Sequence, residues 1–302
     1  MENVPRLPPD ETGFDAVLGF SLPERDVRGR CLRLGPVLDT ILSAHEYPGP
    51  IRHLLAEALL LAAMIGSLGK EDGSQMTMQA QSANGIVDML VCDYRDGELR
   101  GYVRFDAERL HDIGSNPPLS ALVGREAYLA MTFDVRDGGR YQGIVPLDAA
   151  SLAEACETYF RQSEQLPTVL RVAVQSQDRH CVAGGLLLQY LPDGEGGRER
   201  LHVRHDDPNW EHVEILGSSV KHGELADAEL SIEALLWRLF HEEAELRVEK
   251  IAELTRGCRC SAEHYRMVLS RFGASELDEM RDDDGLIRVD CAFCSRIFPV
   301  KV

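Results

Sequence analysis

The chain has 302 residues, 44% of them apolar, with 50 Asp and Glu against 32 Lys and Arg for a formal net charge of −18. That is ample material for a large core, and the negative charge argues against DNA, RNA and anionic membranes as the principal partner. Residues 257–302 come closest to neutral, with 7 basic and 8 acidic residues, so no segment is a basic binding patch.

Met1 to Asp15 is acidic and proline-bearing, with neither the basic start nor the apolar core of a signal peptide. The longest apolar run, Ala58 to Ile65, is too short to span a bilayer. A soluble, cytoplasmic chain with no membrane partner is expected. In that reducing compartment, closely paired cysteines read as metal-binding or redox-active.

From about Gly35 to Leu68 the spacing predicts helix, broken at Tyr47-Pro48-Gly49-Pro50. Val37, Ile41 and Leu42 share a face before the break; Leu54, Leu55, Ala58, Leu61, Ala62 and Ile65 recur after it. Strands follow at Ile86–Tyr94 and Leu99–Phe105 around Asp96-Gly97, then at Ala127–Phe133 and Tyr141–Pro146 around Asp137-Gly138-Gly139. A helix fits Leu152 to Phe160, and strands fit Leu170–Val174 and Gly185–Leu191. Meanders beside segregated helices predict an α+β fold for residues 1–195.

Pro192-Asp193-Gly194-Glu195-Gly196-Gly197 is the clearest boundary. Arg198–Lys221 reads as polar and turn-rich, and a helix starts near Ser231 with Ile232, Leu235, Leu236, Leu239 and Phe240 as its apolar stripe. Its continuation, His241 to Glu245, is nearly all charge and should depend on docking to a neighbour. The chain thus divides into 1–195, a helical linker at 196–256 and a small module at 257–302.

That module carries Cys258-Arg259-Cys260 and Cys291-Ala292-Phe293-Cys294. Paired cysteines at these spacings form a four-thiolate site, for which Zn²⁺, one per chain, is the matching ion. Its apolar set (Tyr265, Met267, Val268, Leu269, Phe272, Leu277, Met280, Leu286, Ile287, Val289) is modest for 46 residues, so metal should decide whether it folds. Arg256, Arg259 and Arg296 lie near in sequence to offset the −2 charge of a zinc tetrathiolate. Oxidation would eject the ion. Four cysteines allow three pairings, of which local closure favours Cys258–Cys260 with Cys291–Cys294.

The remaining cysteines, Cys31, Cys92, Cys156 and Cys181, sit in apolar surroundings and read as core. His241-Glu242 does not open a zinc-peptidase motif, because position 245 is Glu. His202, His205 and His212 read as surface residues. No nucleophile elbow, P-loop or dinucleotide fingerprint is present, and no enzymatic activity is expected.

Several stretches together resemble the redox-regulated heat-shock chaperone of about 33 kDa: Arg28 to Gly35, Tyr141 to Leu147, Ser163 to Thr168, Ala183 to Gln189, Leu239 to Glu243 and the two cysteine pairs. The resemblance implies an ATP-independent holdase with 1–195 as client-binding domain and 196–256 as metastable linker. It implies that Cys258, Cys260, Cys291 and Cys294 are zinc ligands and switch. Oxidant with heat would release zinc, form the two short-range disulfides and unfold the linker. The partners implied are unfolded client proteins, with a reduced monomer and an oxidised homodimer. Two other classes compete: a zinc-ribbon module for nucleic acid or protein, and a thiol oxidoreductase using Cys291 and Cys294. The near-neutral module weighs against the first; the second calls for a strand-to-helix junction at its CxxC.

Overall fold

The computed structural model describes residues 13–69, 71–136, 138–177, 180–191 and 207–301. Asp137, the Pro192–Gly197 boundary, His202 and His205 lie outside them. In chain order the first part runs β1 (Ala16–Leu22), β2 (Val27–Leu34), α1 (Pro36–Leu42), α2 (Gly49–Gly66), β3 (Gln75–Gln81), β4 (Val87–Arg95) and β5 (Glu98–Phe105). It continues with α3 (Ala107–His111), α4 (Leu119–Val123), β6 (Tyr128–Val135), β7 (Gly139–Pro146), α5 (Leu152–Tyr159), β8 (Thr168–Gln177) and β9 (His180–Tyr190). Then come α6 (Pro208–Ser218), α7 (His222–Ala226), α8 (Ile232–Phe240), β10 (Arg247–Glu253) and β11 (Thr255–Arg256). The chain closes with α9 (Ala262–Leu269), α10 (Ala274–Met280), β12 (Ile287–Asp290) and β13 (Ile297–Val300).

The expected α+β class is what the strands and helices build. One sheet has the order β10-β1-β2-β9-β8, a second β11-β5-β4-β3-β6-β7, and β12-β13 form a separate hairpin. Between the two large sheets lies α2. Proline near its first turn costs no hydrogen bond there, and every residue from Leu54 to Ile65 is buried. A helix apolar all round has to be enclosed. By length and composition α2 could cross a membrane, but 67% of it is buried inside the fold, with a sheet on each side. Its one buried carboxylate, Glu57, accepts a hydrogen bond at 3.2 Å from the Ala153 N–H at the start of α5. There a negative charge suits the exposed amide groups of the helix end.

Apart from β10, the five-stranded sheet is largely covered on both faces. One face joins the core around α2 through Val17, Leu32, Leu34, Leu170 and Leu187. Onto its other face, with Leu18, Phe20, Leu22, Val27, Val169, Leu186 and Leu188, pack Trp210, Val213, Leu225, Ile232, Leu235, Leu236 and Phe240 from α6, α7 and α8. Helices α6, α7 and α8 therefore form a cover with its own core. Asp207 accepts from the Asn209 N–H to start α6, and Ser231 accepts from Ala234 to start α8. Within the described part of 198–221, residues 207–221, the expectation of turn-rich chain is corrected: Trp210, Val213 and Gly217 recur at helical spacing and face the sheet.

After Phe240 the chain does not continue as helix. It turns, and residues 247–253 become strand β10, antiparallel to β1 with Phe20 opposite Val248 and Gly19 opposite Glu249. Leu254 follows, buried in the main core, and β11 then pairs in parallel with β5. Residues 247–256 thus add an edge strand to each large sheet, a strap joining both to the C-terminal module. The charged stretch His241 to Glu245 is turn and bend, docked at Glu243 by Arg25 and His212, and the strand begins only at Arg247.

Candidate metal centre

The strap delivers the first cysteine pair. The Thr255 N–H donates to Gly97 O (2.9 Å) and the Gly257 N–H to Leu99 O (2.9 Å), fixing the chain against β5 up to the residue before Cys258. Gly97 has φ +84° and its Hα faces the Glu253 carbonyl, where a Cβ would come within 2.3 Å, so this turn admits only glycine. The second pair sits in the turn of the β12–β13 hairpin. There the Cys291 N–H donates to Arg296 O (3.0 Å), and the Cys294 and Ser295 N–H groups donate to Cys291 O (3.1 and 2.8 Å). Ser295 takes φ +53° to close the turn.

All four sulfurs lie within 4.8 Å of one another. Cys258 Sγ is 3.2 Å from Cys260 Sγ and 3.6 Å from Cys291 Sγ, and Cys260 Sγ is 3.5 Å from Cys294 Sγ. A tetrahedron with metal–sulfur bonds of about 2.3 Å has edges of about 3.8 Å, so a zinc-sized ion fits with small outward adjustments. Burial pushes the Cys260 and Cys294 thiols up. Burial would raise Cys291 too, but the Tyr265 hydroxyl and the Phe293 and Cys294 N–H groups donate to its sulfur and hold it near a pKa of about 6. Four sulfurs this close cannot all carry charge without a cation between them.

Among the described residues this is the one group of three or more such donors gathered around a point. The structure brings together all four cysteines expected to be ligands. Cys31, Cys92, Cys156 and Cys181 are buried in the core as expected. Burial pushes the Cys31 thiol up to about 12 and those of Cys92 and Cys156 well up. His212 is exposed, as expected, and bonds to Glu243 Oε1 at 2.7 Å. Arg259, expected to offset the thiolates, is held by Gln75 and by Glu98 at 3.7 Å, both of the first part of the chain.

Sequence reasoning missed how the centre is seated. Phe293, inside the CxxC, lies edge-on to Tyr102 at 5.0 Å, and the Arg100 guanidinium sits 4.2 Å over its ring. His45 Nε2 bonds to Ala292 O at 2.9 Å, and Ser295 Oγ lies 2.9 Å from His45 Nδ1. An aromatic residue between two ligands was the available signal. Around the centre the module's own core is Leu269, Leu277, Ile287 and Val300, with Tyr265, Val289 and Phe298 partly buried. Met267, Phe272 and Met280 are exposed, so it is smaller than its apolar count suggests. The CxxC lies in a hairpin turn, which weighs against the thiol oxidoreductase alternative.

Fold and site define a two-sheet α+β protein whose tail ends in a four-cysteine, metal-competent centre. The family model described as Hsp33 protein matches residues 15–301, and the chain belongs to that family. Similar proteins include the 33 kDa chaperonin of Caulobacter vibrioides, 38% identical over 94% of each chain. That of Azotobacter vinelandii is 36% identical over 94% of this chain and 90% of its own. The crystal structure of the 33 kDa chaperonin (heat shock protein 33 homolog) of Thermotoga maritima matches with a TM-score of 0.77 over 95% of both chains. At 20% identity it speaks for the fold.

Proposed function

We propose that the protein is a redox-regulated, ATP-independent holdase that captures unfolding proteins and keeps them from aggregating. The observation that carries this is the route from the sulfur centre to the linker. Cys258 follows the strap by one residue, and the strap continues the cover lying over an apolar sheet face. A cover that can be lifted is a concealed client surface, because exposed contiguous apolar area is what grips unfolded chains.

Bound Zn²⁺ would hold the four sulfurs as thiolates and tie residues 258–260 to 291–294. With the ion in place, the small module keeps its hairpin, Phe293 keeps its seat and the strap stays anchored. Oxidation takes two electrons from each cysteine pair and forms Cys258–Cys260 and Cys291–Cys294. Two peroxide molecules accept the four electrons, take up four protons and leave as four waters. Disulfide sulfur is a poor ligand, so the donor set is lost. The module then retains only its small core, and the strap and cover loosen with it. Reduced protein would be monomeric and oxidised protein homodimeric, in the cytoplasm, with unfolded proteins as partners and no catalytic step of its own.

Zinc release and light scattering by a heat-unfolded client should be followed together, before and after warm peroxide and again after reductant. About one zinc per chain should leave as aggregation is suppressed, and reductant with zinc should reverse both. Zinc loss with no gain in client protection would make the centre purely structural.

A further inference from the structure

The strap shows what kind of chain its seat accepts. Six of the seven residues of β10 are exposed, so β10 is held through its backbone ladder to β1 more than by its side chains. Leu254 alone is buried, at the crossing from one sheet edge to the other. Beside that crossing lies a cavity of about 370 Å³ lined by Phe14, Leu18, Val37 and Ile232 together with Lys250 and Glu253. A seat of this kind reads extended backbone plus a single apolar side chain, and it asks little else of sequence. The chain that fills it is also the chain joined to the sulfur centre, with only Gly257 between β11 and Cys258.

We propose that the outer edges of β1 and β5, occupied here by residues 247–256, are docking edges for an extended segment of unfolded client once the strap has left. The client adds a strand where β10 lies and presents an apolar side chain where Leu254 is buried. This inference rests on the holdase proposal and assigns it a main-chain mode of capture beside the apolar face. In the resting protein the strap closes the β1 edge from Ala16 to Ser21 and the β5 edge at Glu98 and Leu99, as an exposed edge has to be closed if random pairing is to be avoided.

The test is hydrogen exchange on full-length oxidised, zinc-free protein, with and without a heat-unfolded client, light scattering confirming capture independently. On oxidation, the β1 amides that face β10 should exchange at least tenfold faster. On capture they should slow again, while β3 and β4 stay unchanged throughout. A synthetic peptide of residues 247–257 should compete with the client, and the same peptide N-methylated at alternate residues should not. Capture that leaves residues 16–22 unprotected, or equal behaviour of the two peptides, would overturn the inference and leave the holdase proposal standing. Absence of capture by scattering would overturn both.

Discussion

Two residues show how narrowly the cover is fitted. Gly184 on β9 faces α7 so closely that a Cβ would lie 1.9 Å from the Leu225 carbonyl oxygen. That same oxygen accepts from Arg33 Nε at 2.8 Å, while Arg33 Nη1 donates to Leu230 O at 2.9 Å. Arg33 is fully buried, and with burial pulling its pKa down, these carbonyls satisfy it in place of water. Gly184→Ala should therefore push α7 off the sheet at a cost of about 1–3 kcal/mol, the usual range for overpacking. The expected outcome is faster exchange of residues 222–230 and a measurable holdase activity in reduced protein that still holds its zinc. Unchanged exchange in α7 would show that the sheet absorbs the methyl group. In sequence, Gly184-Gly185 signals close packing, but nothing in it names the partner.

At the scale of elements, the strap is attached more weakly than the cover. The cover buries a set of large side chains, each worth about 1.5–3 kcal/mol when fully enclosed, with Phe20 and Phe240 5.6 Å apart. It also carries a polar clamp in which Arg25 and His212 both bond to Glu243, at 2.8 and 2.7 Å. The strap has little besides ladder bonds, each worth about 1 kcal/mol net. Val248→Pro and Glu249→Pro divide those bonds by parity, since neighbouring N–H groups of a strand point to opposite sides. One of the pair deletes a bond to β1 and should lower the peroxide dose for half-maximal activity; the other should be nearly neutral. Identical doses for both variants would mean that the ladder does not hold the strap. α1, α2, α5 and α8 were legible because their apolar stripes survive in sequence, as with Ile232, Leu235 and Leu236. β1 was not, because a strand buried on both faces shows no alternation, and β2 alternates only over Val27 to Cys31 before its burial becomes continuous. β3 does alternate, with Met76, Met78 and Ala80 facing the core. β10 is masked by charge, since Arg-Val-Glu-Lys-Ile-Ala-Glu is held through its backbone.

For the whole molecule, stability is unevenly distributed. The core around α2 is large, whereas the core of the final module has four buried apolar residues. Structural zinc contributes on the order of 10–16 kcal/mol of apparent folding free energy to small modules of this kind. A strong chelator under reducing conditions should accordingly melt residues 258–301 and leave the α2 core protected, a split that exchange by mass spectrometry resolves. Cooperative loss of the entire chain would contradict it. The four-cysteine cluster was legible from spacing alone, because two close cysteine pairs leave few other roles. Their seat against Tyr102 and Arg100 was not, since it depends on residues nearly two hundred positions away.

The four cysteines sealed around the core have a consequence for recovery. Eight accessible thiols could pair in on the order of a hundred ways, and four in only three. With Cys31, Cys92, Cys156 and Cys181 out of reach of solvent, a chain returning from oxidative damage chooses among three partnerships instead of a hundred. Under the holdase proposal, resetting then has only two wrong pairings to discriminate against, and one molecule can pass through repeated oxidation with little scrambling.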